Sequence, residues 1–441
     1  MKDLTVGDTG KCLRGFAIPM FVSVVFQQMY NIADSVIAGK WAGKSALAAV
    51  GASYPITMIF LAIAVGANIG SSVIISQLFG HKEYGRMKTA IFTSIISVTI
   101  LAALLTVAGE FGSNTLMQQL HTPETIFEDS ALYLRVYIWG LTFLFLYNIS
   151  TGVFTALGDS KTPLWFLIGS SVGNIILDLI FVISFKMGVS GVAWATFITQ
   201  GIASLLALAT LLFRLSKINV TESYKKFSLK MLGRISAVAV PSILQQSFVS
   251  VGNLFIQSLV NGFGDDAIAG YSAAIKLNTF TITSLSTVGN ALSSFSAQNI
   301  GAGKINRVKE GVKCGIKMGV GIAAAFVFLY FVCSKYMIGL FVESGEEQVI
   351  YEGVRFLRIV SPFYPVVCIK LLCDGVLRGG TAMKSFMATT FLDLILRVVL
   401  AYILVGPMGI MGIWSSWPIG WGLSAVLSVW FYKRGNWKPA D

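Results

Sequence analysis

The chain has 441 residues, of which 55% are hydrophobic and only 12% are charged, whereas a soluble domain typically has roughly 25% charged residues. With a mean hydropathy of +0.74, this composition excludes a chain built mainly of soluble domains and predicts a protein that lies in a lipid bilayer. The formal net charge of +12 does not indicate a nucleic-acid partner, because the basic residues lie mostly in short loops between apolar stretches.

Twelve apolar stretches follow one another along the chain, each close to or above the about 20 residues that a bilayer span needs. They lie at about residues 13–38, 46–76, 89–111, 130–157, 163–185, 189–213, 235–261, 267–297, 318–334, 349–377, 385–406 and 409–432. Most of the 33 Lys and Arg residues fall on one side of the membrane, and the other side receives only Lys40, Lys44, Lys186 and Lys335. The positive-inside rule therefore predicts a multi-pass protein of the cell inner (plasma) membrane with cytoplasmic N- and C-termini.

The sequence repeats itself at an offset of half its length, which indicates an internal duplication. The paired positions include Pro19 with Pro241, Asn31 with Asn253, Gln77 with Gln298, Gly80 with Gly301, and Gly188 with Gly409. Because each copy has six spans, an even number, both copies enter the membrane in the same orientation. The pseudo-twofold axis that relates them therefore runs along the membrane normal. We expect an N-lobe at residues 1–213, a cytoplasmic linker at 214–234 and a C-lobe at 235–441. Two such bundles create a central cleft suited to alternating access, although duplication could also serve only to build a large scaffold.

Acidic residues inside the apolar spans of the first half are the main candidates for function. Asp34 lies in the first span, and Asp178 lies in the fifth, where Asn174 stands four residues earlier on the same helical face. A carboxylate at the bilayer centre costs roughly 2.5–3.5 kcal/mol on insertion scales, so we expect it to face protein or water. Two carboxylates with neutral oxygens can bind Na⁺ or H⁺.

Neutral polar residues of the same half extend this cluster. Thr196 lies in the sixth span, Asn148 in the fourth, and Gln27 and Asn31 in the first. For Asn174, Thr196 and Asn148, an equally good interpretation is interhelical hydrogen bonding. Pro19 removes a backbone hydrogen bond from the first span and forms either a hinge or a static kink.

The second half has a different polar inventory. Residues that can line a substrate cleft are Gln245, Gln246, Asn253, Lys276 and Phe280. Opposite charges also occur in its spans, and Asp393 with Arg397, at i and i+4, is expected to form an ion pair of structural importance. The chain has no metalloprotease helix, phosphate-binding loop or nucleophile elbow, so we expect neither an enzyme nor a cofactor.

In their order and spacing, these features resemble the multidrug and toxic compound extrusion (MATE) family over essentially the whole chain. The resemblance is carried by Pro19, Gln27, the stretch 31–34, Gln77 and Gly80 with their repeats Gln298 and Gly301, residues 158–163 and residues 377–379. It implies an all-α membrane protein of twelve transmembrane helices, in two pseudo-twofold-related six-helix bundles that form a V-shaped central cleft.

The resemblance also implies a function and a site. It implies a monomeric secondary active multidrug efflux transporter that antiports cationic or amphipathic compounds against H⁺ or Na⁺, with small-molecule drugs or organic cations and the lipid bilayer as partners. The branch that includes DNA-damage-inducible and archaeal members has its cation site at positions that become Asp34, Asn174, Asp178 and Thr196 here. The resemblance implies no bound metal ion other than Na⁺ at these four residues. The alternative function is a lipid-linked oligosaccharide flippase of related architecture.

Overall fold

The computed structural model describes residues 2–37, 41–42, 44–120, 122–220, 223–341 and 346–438, without the side chains of residues 35–36 and 44–47. Lys40 of the topology prediction lies outside the described residues. Every regular element of the described chain is helical, in agreement with the predicted all-α class.

The first half contains seven α-helices. They are α1 (Thr9–Ile37), α2 (Lys44–Gly80), α3 (Tyr84–Gln119), α4 (Glu124–Trp139), α5 (Leu141–Ala156), α6 (Lys161–Leu179) and α7 (Val189–Ser216). A single turn of π-helix, Ile180–Ser184, continues α6. Gly188, which precedes α7, has φ 58° and ψ −131°, a conformation that favours glycine.

The second half repeats this order of helices. They are α8 (Leu229–Val260), α9 (Asp265–Gly301), α10 (Ile305–Gly339), α11 (Glu347–Val360), α12 (Tyr364–Gly379), α13 (Met383–Met408) and α14 (Ile410–Arg434). Gly409, the predicted repeat partner of Gly188, precedes the last helix with φ 56° and ψ −141°. The same unusual backbone at both glycines is what an internal duplication produces.

Two of the predicted spans are broken into two helices each. The fourth span consists of α4 and α5, which meet at Gly140 with a bend of 47°. The tenth consists of α11 and α12, separated by the 3₁₀ turn Ser361–Phe363, and Pro362 and Pro365 cannot donate backbone hydrogen bonds there. Counted this way, the helices correspond to the twelve predicted spans.

Within the described residues, nine helical segments are long and apolar enough to cross a membrane, or ten with the bent pair α4 and α5. The other two spans are α9, with 37 residues, and α14, with 25, which have spanning length but carry many small and polar residues. In α9 most of these small and polar residues are buried against neighbouring helices. Because they do not face lipid, this helix does not need a mainly apolar composition.

The chain divides by contacts into two compact units. Unit 1 comprises residues 1–3 and 22–243, and unit 2 comprises residues 4–21 and 244–441. The divisions fall two residues after Pro19 in α1 and two residues after Pro241 in α8. The units therefore differ from the predicted lobes, which follow chain order, by exchanging the first halves of these two helices.

Close helix contacts explain this assignment for the first half of α8. At Gly66 and Gly70 of α2, an added Cβ would lie 2.4 Å from Ile243 Cγ1 and 2.5 Å from Ala239 Cβ, respectively. Small residues spaced four apart let helix backbones approach closely in membranes.

Residues 4–7, just before α1, are held in unit 2 by hydrogen bonds to the region around the start of α10. The Leu4 amide donates to Gln298 Oε1 at 3.0 Å, and Arg307 donates to the carbonyl oxygens of Val6 and Gly7.

Candidate cation site

The sequence candidates of the first half lie on three helices of unit 1. Asp34 follows Tyr30 by one turn on α1, Asn174 and Asp178 lie on α6, and Thr196 lies on α7. Asp178 is fully buried and is followed at once by the π-helical turn. Turns of this kind are frequent at functional sites because they displace the side chains of a helix from their regular positions.

The Asn174 amide connects the three helices. We assign its nitrogen toward the carboxylate, because this orientation satisfies both ends of the group. The nitrogen then donates to the Tyr30 hydroxyl at 2.8 Å and to Asp178 Oδ2 at 2.9 Å, and the oxygen accepts from the Thr196 amide at 3.2 Å. The opposite orientation would offer only longer contacts to the hydroxyls of Thr196 and Thr199, at 3.5 and 3.4 Å.

The two carboxyl groups lie within hydrogen-bond reach of each other. Asp34 and Asp178 are in side-chain contact, and Tyr30 and Tyr133 lie close enough to feel the charge of both. Tyr30 is also within hydrogen-bond reach of the Thr196 side chain. Two ionised carboxylates at this separation repel strongly in a low-dielectric interior, so a proton or a metal cation between them is stabilised.

Neither carboxylate of this pair is neutralised by a basic residue in the described chain. Asp34 Oδ1 and Asp178 Oδ1 are buried and have no hydrogen-bond partner among the described residues. Within the same part of the chain, neither aspartate forms a salt bridge. The arrangement therefore leaves acceptor oxygens available for an ion.

A cavity of about 10 Å³ adjoins this cluster, which is room for about one water molecule. Its polar lining consists of Tyr133, Tyr137, Thr196 and Gln200, from α4 and α7. A water here would contact groups that surround the two carboxylates.

The three supporting residues have contacts of other kinds. Asn31 donates to Gln28 at 3.2 Å, Asn148 donates to the Leu144 carbonyl of its own helix at 2.9 Å, and Gln27 is exposed. Sequence reasoning instead missed Tyr30 and Tyr133. The position of Tyr30 four residues before Asp34 was the available signal.

The predicted cleft residues of unit 2 fall into two groups. Gln245, Gln246 and Asn253 lie on α8, whereas Lys276 and Phe280 lie on α9. The Lys276 ammonium lies over the Phe341 ring at 5.4 Å, and Phe280 packs edge-on against Phe326 at 5.6 Å.

A buried charge network occupies unit 2. Lys370 of α12 donates to Asp374 Oδ2 at 2.8 Å and lies 3.9 Å from Asp393 of α13. Thr389 and Ser428 donate to Asp374 Oδ1 at 2.9 and 2.7 Å. A protein cation thus pairs with the carboxylates here.

The expected ion pair between Asp393 and Arg397 is wrong for the described residues. Asp393 pairs with Lys370 instead, and the Arg397 guanidinium lies over the Trp417 ring at 4.3 Å. Helical spacing brought the two residues to one face of α13, but neighbouring helices offered each a different partner.

The stretch 158–163 forms a second polar centre, at the start of α6. Asp159 accepts hydrogen bonds from the backbone of Lys161 and Thr162 and from the Thr162 hydroxyl, and it pairs with Arg214 at the end of α7. Burial raises the pKa of Asp159, but the hydrogen bonds from Thr162 and the charge of Arg214 outweigh it and leave the pKa below its ordinary value. This centre ties α6 to α7 and is structural.

These features together define a polytopic helical transport protein with a buried acidic site. The sequence model of the MatE family matches the chain twice, at residues 19–180 and 241–403. The chain belongs to the MATE family, whose members are transporters and not enzymes. Each match begins at one of the two repeat-related prolines, Pro19 and Pro241.

Curated relatives are similar over nearly the whole chain. The probable multidrug resistance protein YpnP of Bacillus subtilis is 28% identical over 99% of this chain and 97% of its own length. The multidrug export protein MepA of Staphylococcus saprophyticus is 23% identical over 92% of this chain and 89% of its own length. The chain is thus similar to proteins that are named for multidrug resistance and multidrug export.

Solved structures share the fold. A crystal structure of MATE in complex with MaL6 superposes with a TM-score of 0.92 at 24% identity, covering 98% of this chain and 97% of that one. The outward-facing conformation of a multidrug resistance MATE family transporter gives a TM-score of 0.91 at 24% identity, with 98% of both chains covered. The predicted fold class of twelve transmembrane helices is confirmed.

Proposed function

We propose that the protein is a secondary active transporter that exports cationic or amphipathic organic compounds in exchange for protons by alternating access. The observation that carries the proposal is the contact between Asp34 and Asp178 in a buried setting with no basic partner among the described residues. Similarity to proteins named for multidrug export supports organic compounds as the cargo. An inner-membrane location with cytoplasmic termini, and assignment to the DNA-damage-inducible and archaeal branch, belong to the same proposal.

The choice of H⁺ over Na⁺ rests on the Asn174 amide. Its nitrogen faces Asp178 and the Tyr30 hydroxyl, and its oxygen is engaged by the Thr196 amide. A bare cation such as Na⁺ prefers several oxygen ligands, and this orientation removes one neutral oxygen from the set. A single proton shared between two carboxyl groups needs no further ligands.

Proton binding would change the contacts between α1 and α6. With both carboxylates ionised, Asp34 and Asp178 repel, and with one proton between them they hold the outer part of α1 against α6. Pro19 leaves α1 with one backbone hydrogen bond fewer near the division between the units, so this helix can bend there. We propose that the proton thereby shifts the balance between the outward-open and inward-open states and that the drug leaves when the proton is bound.

The membrane potential can drive this cycle. Each unit charge that moves inward contributes about 2.3 kcal/mol per 100 mV. Because 1.4 kcal/mol corresponds to a tenfold concentration ratio, one proton supports a gradient of roughly 40-fold from this source when the exported compound is uncharged. When one proton is exchanged for a monovalent cation such as ethidium, no net charge moves, and the pH gradient alone drives the export.

The test is ethidium export by purified protein in lipid vesicles, driven by an imposed pH gradient or by an imposed Na⁺ gradient. We expect export under the pH gradient and its loss in Asp34→Asn and Asp178→Asn, because neither variant retains the pair of carboxyl groups. Asp266→Asn is the matched control, since it removes an exposed carboxylate at the start of α9.

Each alternative gives a distinct result. Undiminished pH-driven export by either site variant would overturn the coupling role of the pair, whereas export driven only by Na⁺ would overturn the choice of ion. Lipid scrambling without ethidium export would refute drug efflux itself.

A further inference from the structure

A charged pair in unit 1 lies among exposed apolar side chains and has no part in the proposed coupling mechanism. Arg135 Nε of α4 lies 3.5 Å from Glu110 Oε1 of α3, and the two side chains are 40% and 38% exposed. On α3 the neighbouring Val107 and Phe111 are 58% and 85% exposed. Exposed apolar side chains of a membrane-spanning helix face lipid, so the pair is accessible from the bilayer.

The pair is held in place by close packing of α3 on α4. A Cβ added to Gly109 would lie 2.9 Å from Ile138 Cδ1. Beside this contact, Trp139 Nε1 donates to Glu110 Oε2 at 2.7 Å. Among the described residues, Arg135 Nε donates no hydrogen bond, and Glu110 Oε1 has only the 3.5 Å contact with it. Both charged groups therefore keep capacity to bind a ligand.

Two tryptophans indicate the depth of the pair in the membrane. The Trp139 ring lies 6.0 Å from the ring of Trp194, which is about 8 Å from the start of α7. Tryptophan is enriched at membrane–water interfaces. Arg135 lies one turn, about 6 Å, nearer the start of α4 than Trp139. Because α4 and α7 both begin on the side predicted to be external, the pair lies at the headgroup level of the external leaflet.

The two charges match the two ends of one lipid headgroup. A guanidinium binds phosphate through several N–H donors, and a carboxylate accepts hydrogen bonds from a primary ammonium. Phosphatidylethanolamine has a phosphate and a primary ammonium separated by two carbons, so one headgroup can contact both residues. The ammonium of phosphatidylcholine carries three methyl groups and has no N–H to donate.

Unit 2 retains only half of this arrangement. Counted from the first residue of α4 and of α11, Arg135 and Arg358 occupy the same position, and in α3 and α10 Glu110 corresponds likewise to Phe331. Arg358 is exposed and forms no salt bridge within the described part of the chain. The group that suits a phosphate is thus present in both repeats, whereas the group that suits an ammonium is present in unit 1.

We propose that Glu110 and Arg135 form a binding site for phosphatidylethanolamine of the external leaflet. Arg135 donates to the lipid phosphate, Glu110 accepts from the lipid ammonium, and the Trp139 indole N–H orients the carboxylate. The inference goes beyond the proposed function, because it assigns a lipid ligand and holds whatever the cargo or the coupling ion is.

The experiment is native mass spectrometry of the purified full-length protein in detergent with equal amounts of phosphatidylethanolamine and phosphatidylcholine of identical acyl chains. Arg358→Gln is the background variant, because it removes the corresponding arginine of unit 2. We expect this protein to bind phosphatidylethanolamine about fivefold more than phosphatidylcholine, since hydrogen bonds to Glu110 distinguish the two lipids.

Three substitutions in this background test the two contacts separately. Glu110→Gln retains an acceptor for Trp139, so the fold is kept, and the preference should fall below about twofold while binding of phosphatidylcholine is unchanged. Arg135→Gln should weaken binding of both lipids about fivefold. Asp266→Asn, which removes an exposed carboxylate of unit 2, is the matched control and should leave the preference unchanged.

Equal binding of the two lipids by the background protein would overturn the proposal. A preference that survives Glu110→Gln, or one that is lost equally in Asp266→Asn, would do the same. Should Arg135→Gln fail to fold, the Glu110→Gln result decides. Failure of ethidium export with the lipid preference intact would refute the proposed transport function and leave the lipid site in place.

Discussion

Replacing Lys370 by methionine should strongly destabilise unit 2. The Lys370 ammonium donates to Asp374 at 2.8 Å and lies 3.9 Å from Asp393, and Lys370 and Asp374 are each only 4% exposed. Removal of one partner from a buried ion pair leaves the other charge uncompensated, which costs about 3–5 kcal/mol. Since Lys370 faces two carboxylates, we expect a loss in the free energy of unfolding toward the upper end of this range.

A second substitution separates lost attraction from the cost of unpaired charge. In Lys370→Met with Asp374→Leu, one of the two carboxylates is also removed, so part of the lost stability should return. The hydroxyls of Thr389 and Ser428 then lose a shared acceptor, but the Thr389 hydroxyl retains the Phe386 carbonyl of its own helix as an acceptor at 2.8 Å. We therefore expect the double variant to be more stable than the single one.

Two buried cysteines of α12 provide an assay of unfolding. Cys368 and Cys373 of α12 are 0% and 2% exposed, so their reaction with a thiol-reactive fluorogenic dye reports the opening of this helix. The background variant carries Cys12→Ser, Cys314→Ser and Cys333→Ser, so that the two buried thiols of α12 are the ones that remain. Purified protein is heated in detergent, and the midpoint of dye labelling is recorded.

The control and the refuting result are defined by the same assay. Lys276→Met replaces an exposed lysine of the same unit and should change stability by no more than about 0.5 kcal/mol. A labelling midpoint for Lys370→Met equal to that of the background variant would refute the reasoning, as would a double variant less stable than the single one.

Three further predictions concern unit 1 and the helix contacts. Asp159→Asn should destabilise the protein at neutral pH, and because Arg214 and Thr162 hold the folded-state pKa of Asp159 below its ordinary value, this difference from wild type should shrink as pH falls below about 4 in thermal unfolding series. Tyr30→Phe should reduce pH-driven ethidium export several-fold while the folded yield in size-exclusion chromatography is unchanged, since only one hydroxyl of the site is lost. Gly375→Ala should lower the yield of folded protein, because the added Cβ would lie 2.4 Å from the Gly289 carbonyl oxygen. Unchanged behaviour in any of these three would contradict the corresponding contact.

The spans could be predicted because lipid imposes a strong length and composition requirement on helices. Their breaks were not predicted. The bend at Gly140 and the 3₁₀ turn at Ser361–Phe363 lie inside continuously apolar stretches, where hydropathy carries no signal. Pro362 and Pro365 were a local indication of the second break.

Some residues of the candidate cation site could be selected from the sequence, and others could not. Asp34 and Asp178 could be selected because a charge in lipid is costly and therefore rare. For Tyr30 the only sequence signal was its position four residues before Asp34, because tyrosine is common in membrane helices and its role as hydrogen-bond acceptor for Asn174 depends on the packing of α1 on α6. The rotation of α5, which directs Asn148 to its own backbone, is likewise a tertiary property.

Because the first halves of α1 and α8 are exchanged between the units, the order in which the chain is synthesised affects when each unit can pack. Residues 4–21 belong to a unit whose other members are all synthesised after residue 243. Unit 1 in turn remains incomplete until the opening turns of α8 have been inserted. Neither unit can therefore complete its packing from one half of the sequence alone. Residues 4–21 can pack within unit 2 only after the helices that follow residue 243 have been inserted.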